Sequence, residues 1–171
     1  MLKPMLKRSK ILFFRLLYPA LQLYRRLFRP KTYGVRVVVW DKDANTVLMV
    51  RHTYGDETMW HFPGGAYNPR REKAFESAQR ELVEETGLTA SVLSTLLTYK
   101  TDAQGNDDTV EVFLYIINFG PHGQVPYARD TEVAEVVWFD VDDLLETPKV
   151  YRITRQSIRA LKSLARDLKV M

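Results

Sequence analysis

Cysteine is absent from all 171 residues, which excludes disulfide staples, thiolate nucleophiles and thiolate metal sites. The absence also fits a reducing compartment, and a cytoplasmic setting is the expectation. Histidine is scarce. Only His52, His61 and His122 occur, too few for a multi-histidine zinc site, so a hard cation has to rely on oxygen ligands. Long apolar runs are missing too. Arg15 interrupts the apolar stretch within residues 9–28, leaving pieces too short to span a bilayer and a poor match to a signal peptide. Carboxylates are missing from the first 40 residues, where ten of the 25 Lys and Arg lie. The other 131 residues set 15 basic side chains against all 21 acidic ones, a net of −6. The overall charge of +4 therefore belongs to an N-terminal arm and is no nucleic-acid footprint for the body of the chain.

Apolar residues at 46% and charged residues at 27% are ordinary for a globular chain, and this length suits one domain with accessory elements. Residues 9–28 read as a basic amphipathic helix, kinked or divided at Pro19. That helix packs on the domain or a partner subunit, lies on an anionic membrane surface, or touches RNA. After Pro30 the pattern turns to strands: 33–41, 46–52 as a hairpin partner, a short strand in MWHFPGG (59–65), 88–101, 109–119 and 135–141. A turn is expected at AQGNDD, and VDDLLET starts a short helix with Asp142 and Asp143 as N-terminal charges. Residues 152–169 form a basic amphipathic helix with Ile158, Leu161, Ala165 and Leu168 inward. Helices alternating with strands predict a mixed α/β sheet covered by helices.

The chemistry concentrates in PGGAYNPRREKAFESAQRELVEETGL, residues 63–88. Phe75, Ala78 and Leu82 recur at i, i+3 and i+7 and predict the buried stripe of a helix over 73–86. Glu81, Glu84 and Glu85 recur at i, i+3 and i+4, so their carboxylates project together from another face. Gly87 is a natural stop. Three clustered carboxylates repel one another and oppose the macrodipole at a helix C-terminus, and Arg80 offsets only part of this. A divalent cation resolves the conflict, and these hard oxygen ligands suit magnesium, with manganese as the alternative. For a bare Glu-x-x-Glu-Glu the competing reading is a solvated acidic face.

The wider spacing decides between them. Glu72, seven residues, then Arg80-Glu81-Leu82-Val83-Glu84-Glu85-Thr86-Gly87-Leu88 resembles the Nudix hydrolase signature, Gly-x5-Glu-x7-Arg-Glu-U-x-Glu-Glu-x-Gly-U with U aliphatic. The lead-in WHFPGG and the later EVVWFDVDDL are similar to the family's order, and the resemblance spans about residues 33–148. There is one departure. Six residues separate Gly65 from Glu72 where the signature has five, and the alternative glycine position holds Ala66. The helix keeps its register, while the loop loses a small, flexible position.

The resemblance implies an α/β/α sandwich over residues 32–171, preceded by an arm at 1–31. It implies Glu81, Glu84 and Glu85 as magnesium ligands beside the Gly65 backbone, with Glu81 doubling as base. Arg80 would orient them and Glu72 would support. A further carboxylate is expected from a later loop, where Glu132 is the first choice and Asp130 and Glu135 are rivals. Arg51, Trp60 and His61 are expected around the substrate, with His52 at the mouth of the site. The implied reaction is hydrolysis of a diphosphate bond in a nucleotide linked to another moiety: a triphosphate, a nucleotide sugar or a capped RNA 5′ end. The alternative is a Nudix-fold ligand sensor or scaffold without turnover. Peripheral contact with an inner membrane surface and a homodimer complete the expectations.

Overall fold

The fold is that of a computed structural model, and the structure describes residues 30–90, 94–101, 107–117 and 125–170, together with Leu17, Pro19 to Leu21, Leu23, Tyr24, Leu27 and Phe28. These arm residues are helical, Pro19 included. From residue 30 the described elements run β1 (Lys31–Asp41), β2 (Thr46–His52), β3 (Trp60–His61), α1 (Ala74–Thr86), β4 (Ser94–Thr101), β5 (Asp107–Ile117), β6 (Val133–Asp140), α2 (Asp143–Glu146) and α3 (Arg152–Val170).

The apolar run of β1 has a simple cause: both faces of the strand are covered. Val35, Val37 and Val39 join Leu48, Phe113, Ala78 and Leu82 on the α1 side. Val38 and Trp40 join Val47, Met49, Val112, Leu114, Ile158 and Leu161 on the α3 side. The result is the expected α/β/α sandwich. β1 runs parallel to β5 along its whole length, and β4 pairs antiparallel with β5. β2 pairs antiparallel with β3 and β6. Between β1 and β2 the ladder holds only at Trp40↔Val47 and Asp41↔Thr46.

That short ladder frees the edge of β1 from Tyr33 to Val37, and the segment 63–67 fills it. Val37 N donates to Pro63 O at 2.8 Å, Val35 N to Gly65 O at 2.9 Å, and Tyr67 N to Tyr33 O at 3.0 Å. The MWHFPGG strand is accordingly shorter than its sequence suggests. It pairs with β2 only at Trp60 and His61, then crosses to β1 through Pro63, which has no N–H to give β2. The longer Gly65–Glu72 connection closes in a turn at Asn68, whose carbonyl accepts from Arg71 N at 2.9 Å and Glu72 N at 3.2 Å.

Two local expectations change. Phe75 is 38% exposed and only meets Phe113 edge-on at 6.3 Å, while Ser77, Glu85 and Thr86 join Ala78 and Leu82 on the buried face of α1. Leu88 and Ala90 are buried as a link before β4 and not as part of it. Ile158 and Leu161 are buried as expected. The Leu168 side chain and most of the AQGNDD turn lie outside the described residues.

Candidate active site

Two pieces meet here, the end of α1 and the 63–67 segment pinned to β1. Gly64 has φ +142°, and a Cβ there would sit 2.2 Å from Val35 O, so only glycine fits between the loop and β1. Its N–H donates to Glu85 Oε2 at 2.8 Å. A Cβ on Gly65 would sit 2.6 Å from both Cδ and Oε1 of Glu81. The Pro-Gly-Gly sequence thus lets bare backbone reach two carboxylates. Helix α1 stops where Gly87, at φ +73°, donates to Val83 O at 3.0 Å.

The three helix carboxylates do not form one uniform surface. Glu85 is buried beneath the loop, Glu81 is half-buried and Glu84 is exposed. Burial pushes the Glu85 carboxyl up to about 8 against the pull of the Gly64 N–H, with the Glu81 and Glu132 charges adding to the rise. Burial also raises Glu81, and Arg80 opposes that rise. Arg80 reaches Glu81 Oε1 and Glu84 Oε2 through Nη1 at 2.9 Å each. Its Nη2 reaches Glu72 Oε1 and Ser77 Oγ at 3.1 Å. The arginine therefore ties Glu72 to the helix and sets the orientation of two of the three glutamates.

The later loop arrives beside Glu85. Thr53 N donates to Glu132 O at 2.9 Å, and the Glu132 carboxylate accepts from the Tyr54 hydroxyl. Its rivals are engaged elsewhere. Glu135 pairs with Arg51 at 3.0 Å, and Asp130 bonds Thr131. Arg51 also donates to Glu57 O at 2.9 Å, and Trp60 packs on Phe139 with ring centroids 4.9 Å apart. Neither Arg51 nor Trp60 lines the cavity beside the glutamates.

That cavity, about 330 Å³, is bordered by Gly64, Gly65, Ala66, His52, His61 and Arg36, with Tyr54, Gly55, Asp56 and Tyr151 also on its wall and Leu17 and Leu21 of the arm closing one side. His61 stacks on Tyr151 at 4.7 Å and meets His52 edge-on at 5.0 Å. Burial first, and then the Arg36 charge, hold His52 down at about 4 and His61 at about 3. Both imidazoles are neutral at pH 7. Sequence reasoning missed Arg36, Tyr54 and Tyr151. Alternation in β1 opposes Arg36 to the valines beneath α1 and was the available signal for it.

The donors suit a hard cation: Glu81, Glu85 and Glu132 bring carboxylate oxygens to a place where their mutual repulsion opposes ionisation. Gly65 O accepts from Val35 N, which leaves it a second lone pair. Among the described residues, no three His, Asp or Glu side chains already converge at metal-binding distance. Arg80 holds Glu81 and Glu84 toward itself, so ligation requires these two flexible side chains to turn.

Comparisons with known proteins bear on family and fold. The family model described as NUDIX domain matches residues 30–161. Human nucleoside diphosphate-linked moiety X motif 6 is 32% identical over 133 residues, 75% of this chain and 40% of that protein. ADP-ribose pyrophosphatase of Mycobacterium tuberculosis is 37% identical over 83 residues, 47% of this chain and 40% of that protein. The chain spans about two fifths of the length of these curated relatives. Among solved structures, a MutT Nudix hydrolase from Burkholderia pseudomallei superposes with a TM-score of 0.63 at 20% identity, covering 76% of this chain and 97% of that one. The Nudix domain of Shewanella oneidensis NrtR, complexed with ADP ribose, gives 0.64 at 16% identity over 79% and 87%. At such identities these two show a shared fold.

Proposed function

The chain belongs to the Nudix family, and from that premise we propose that it hydrolyses the diphosphate bond of a nucleoside diphosphate linked to a second moiety. The observation that carries the reading is the approach of bare Gly64 and Gly65 backbone to the carboxylates of Glu85 and Glu81. In this reading Glu81, Glu84, Glu85 and Glu132, with the Gly65 carbonyl, hold magnesium. When bound, the ion would supply charge neutralisation at the phosphates and lower the pKa of a water. Glu81 accepts the proton of the attacking water. The water oxygen forms the new bond to phosphorus, and the bridging anhydride oxygen leaves with the bonding electron pair. Gly64 keeps Glu85 in place, and Arg80, steadied by Glu72, holds Glu81 and Glu84 until they turn to the ion.

The residues suit a catalyst better than a mere binder, because a buried carboxylate beside two others is unfavourable unless positive charge joins it. The test is product mapping with magnesium over nucleoside triphosphates, nucleotide sugars, ADP-ribose and capped RNA, run beside Glu84→Gln and Glu85→Gln. We expect wild-type turnover and a loss of at least about a thousandfold in the variants. Binding with no turnover of any compound favours the sensor reading, and variants as active as wild type end the catalytic one.

The arm, residues 1–31 in this reading, has a role besides closing the cavity. Leu23, Tyr24, Leu27 and Phe28 are exposed in a region with many cations and no carboxylate, a combination suited to an anionic lipid surface, while Leu17 and Leu21 border the cavity beside Gly64. No described helix is long and apolar enough to cross a membrane. Deleting residues 1–30 should abolish co-sedimentation with vesicles containing phosphatidylglycerol. Equal sedimentation, or loss of a dimer in its place, rejects membrane docking.

A further inference from the structure

The cavity wall holds a cation that none of the roles above uses. Arg36 stands on β1 between Val35 and Val37, where the strand carries the Gly64–Ala66 segment. Its Nη1 donates to Val35 O at 2.8 Å. A guanidinium has five N–H donors in a planar fork, so this bond leaves most of them for the cavity that Arg36 lines. Among the described residues bordering that cavity it is the one Lys or Arg. It borders one cavity with the His52, His61 and Tyr151 rings and with the Gly64–Gly65 backbone that reaches Glu85 and Glu81.

The surroundings define what such a group can hold. The one carboxylate among the described residues of the wall, Asp56, is exposed and bonds Thr58. An anion entering here meets one fixed cation, and that cation offers a fork matched to tetrahedral phosphate oxygens. Gly64 and Gly65 also join the cavity to the carboxylates. A phosphoryl group held by Arg36 is therefore next to the cluster without lying in it.

We propose that Arg36 and the cavity it lines form a phosphoryl-binding subsite: the guanidinium holds the phosphate of the diphosphate that water does not attack, and the His52–His61–Tyr151 wall receives the uncharged group beyond it. The assignment rests on the diphosphate reading of the carboxylates and adds to it the residue that fixes the substrate's direction. An arginine that only balanced the charge of Glu81 and Glu85 would give the same picture at rest, so the experiment has to separate the two roles.

The probe is ADP, with adenosine as the phosphate-free control, measured by calorimetry on the full chain without metal. Arg36→Gln should weaken ADP at least tenfold and leave adenosine within twofold. Arg36→Lys, which keeps the charge and loses the fork, should weaken ADP less. With magnesium and a hydrolysed diphosphate, Arg36→Gln should raise KM much more than it lowers kcat. Unchanged ADP affinity, an equal loss of adenosine, or no ADP binding by wild type overturns the subsite. If Arg36→Gln fails to fold, Arg36→Lys decides, and wild-type ADP affinity in that variant overturns it. If ADP binding responds as expected but no diphosphate is cleaved, the hydrolase reading fails and the subsite stands. The converse result reverses that judgement.

Discussion

Helices α1 and α3 cover opposite faces of one sheet and obey different rules. Helix α3 packs through Ile158 and Leu161, and its buried Ser157 is satisfied by Ile153 O at 2.9 Å. Helix α1 has Ala78 and Leu82 inward, yet on the same side it buries Glu85, and it ends in acids with no basic residue in its last turn. Packing and the helix dipole both disfavour that ending. A helix that departs from its own physics while its counterpart does not is under another constraint, and the glycine loop above Glu85 lies where the proposed site does.

The sharpest way to break the comparison is to exchange the costs. Glu85→Gln should lower turnover at least about a thousandfold while leaving the metal-free fold as stable as wild type or more so. Ile158→Ala should do the reverse, losing about 2–4 kcal/mol of stability with kcat per folded molecule within about twofold. Chemical denaturation beside active-site-normalised kinetics reads both. If the two variants lose stability and activity in the same proportion, the faces are not functionally distinct.

Gly64→Ala falls between these cases and is the next largest effect. The new methyl meets Val35 O at 2.2 Å, so the loop must lift from β1 and withdraw the N–H from Glu85. A stability loss of about 1–3 kcal/mol should come with a tenfold or larger fall in kcat. An unchanged kcat would separate the loop from the chemistry.

The same contrast explains what was legible in the sequence. Periodicity found both helices, since each has an apolar stripe, and the continuous valines of β1 announced a strand covered on both faces. The spacing of Glu72, Arg80, Glu81, Glu84 and Glu85 marked the site because a helix converts spacing into a face. What stayed hidden depends on tertiary contact. Phe75 fits the stripe but stays part-exposed, meeting Phe113 of β5 only edge-on. Arg51 and His52 look equivalent at a strand end, yet alternation sends one to Glu135 and the other into the cavity. Arg36 is one arginine in a run of valines, and its importance depends on a loop that pairs with β1 from 26 to 34 residues further along the chain.

The smallest effect sharpens the comparison through pH. Glu85 rises from 4.5 to about 8 on folding, so the folded state holds its proton more tightly than the unfolded one. That contribution is full below 4.5 and is lost as pH rises through about 8. The buried histidines act in the opposite sense. They fall from 6.5 to about 4 and 3, so their contribution is full above 6.5 and is lost as pH falls through those values. Without metal, the melting temperature should decline on both sides of a maximum near pH 5–7. Glu85→Gln should flatten the alkaline limb, gaining about 2–4 °C near pH 8 for each kcal/mol relieved. His61→Gln should flatten part of the acid limb. Ile158→Ala, on the face without a buried titrating group in α3, should lower the whole curve without changing its shape. A shape change in that variant, measured by scanning calorimetry from pH 4 to 9, would mean that the two faces share their electrostatics after all.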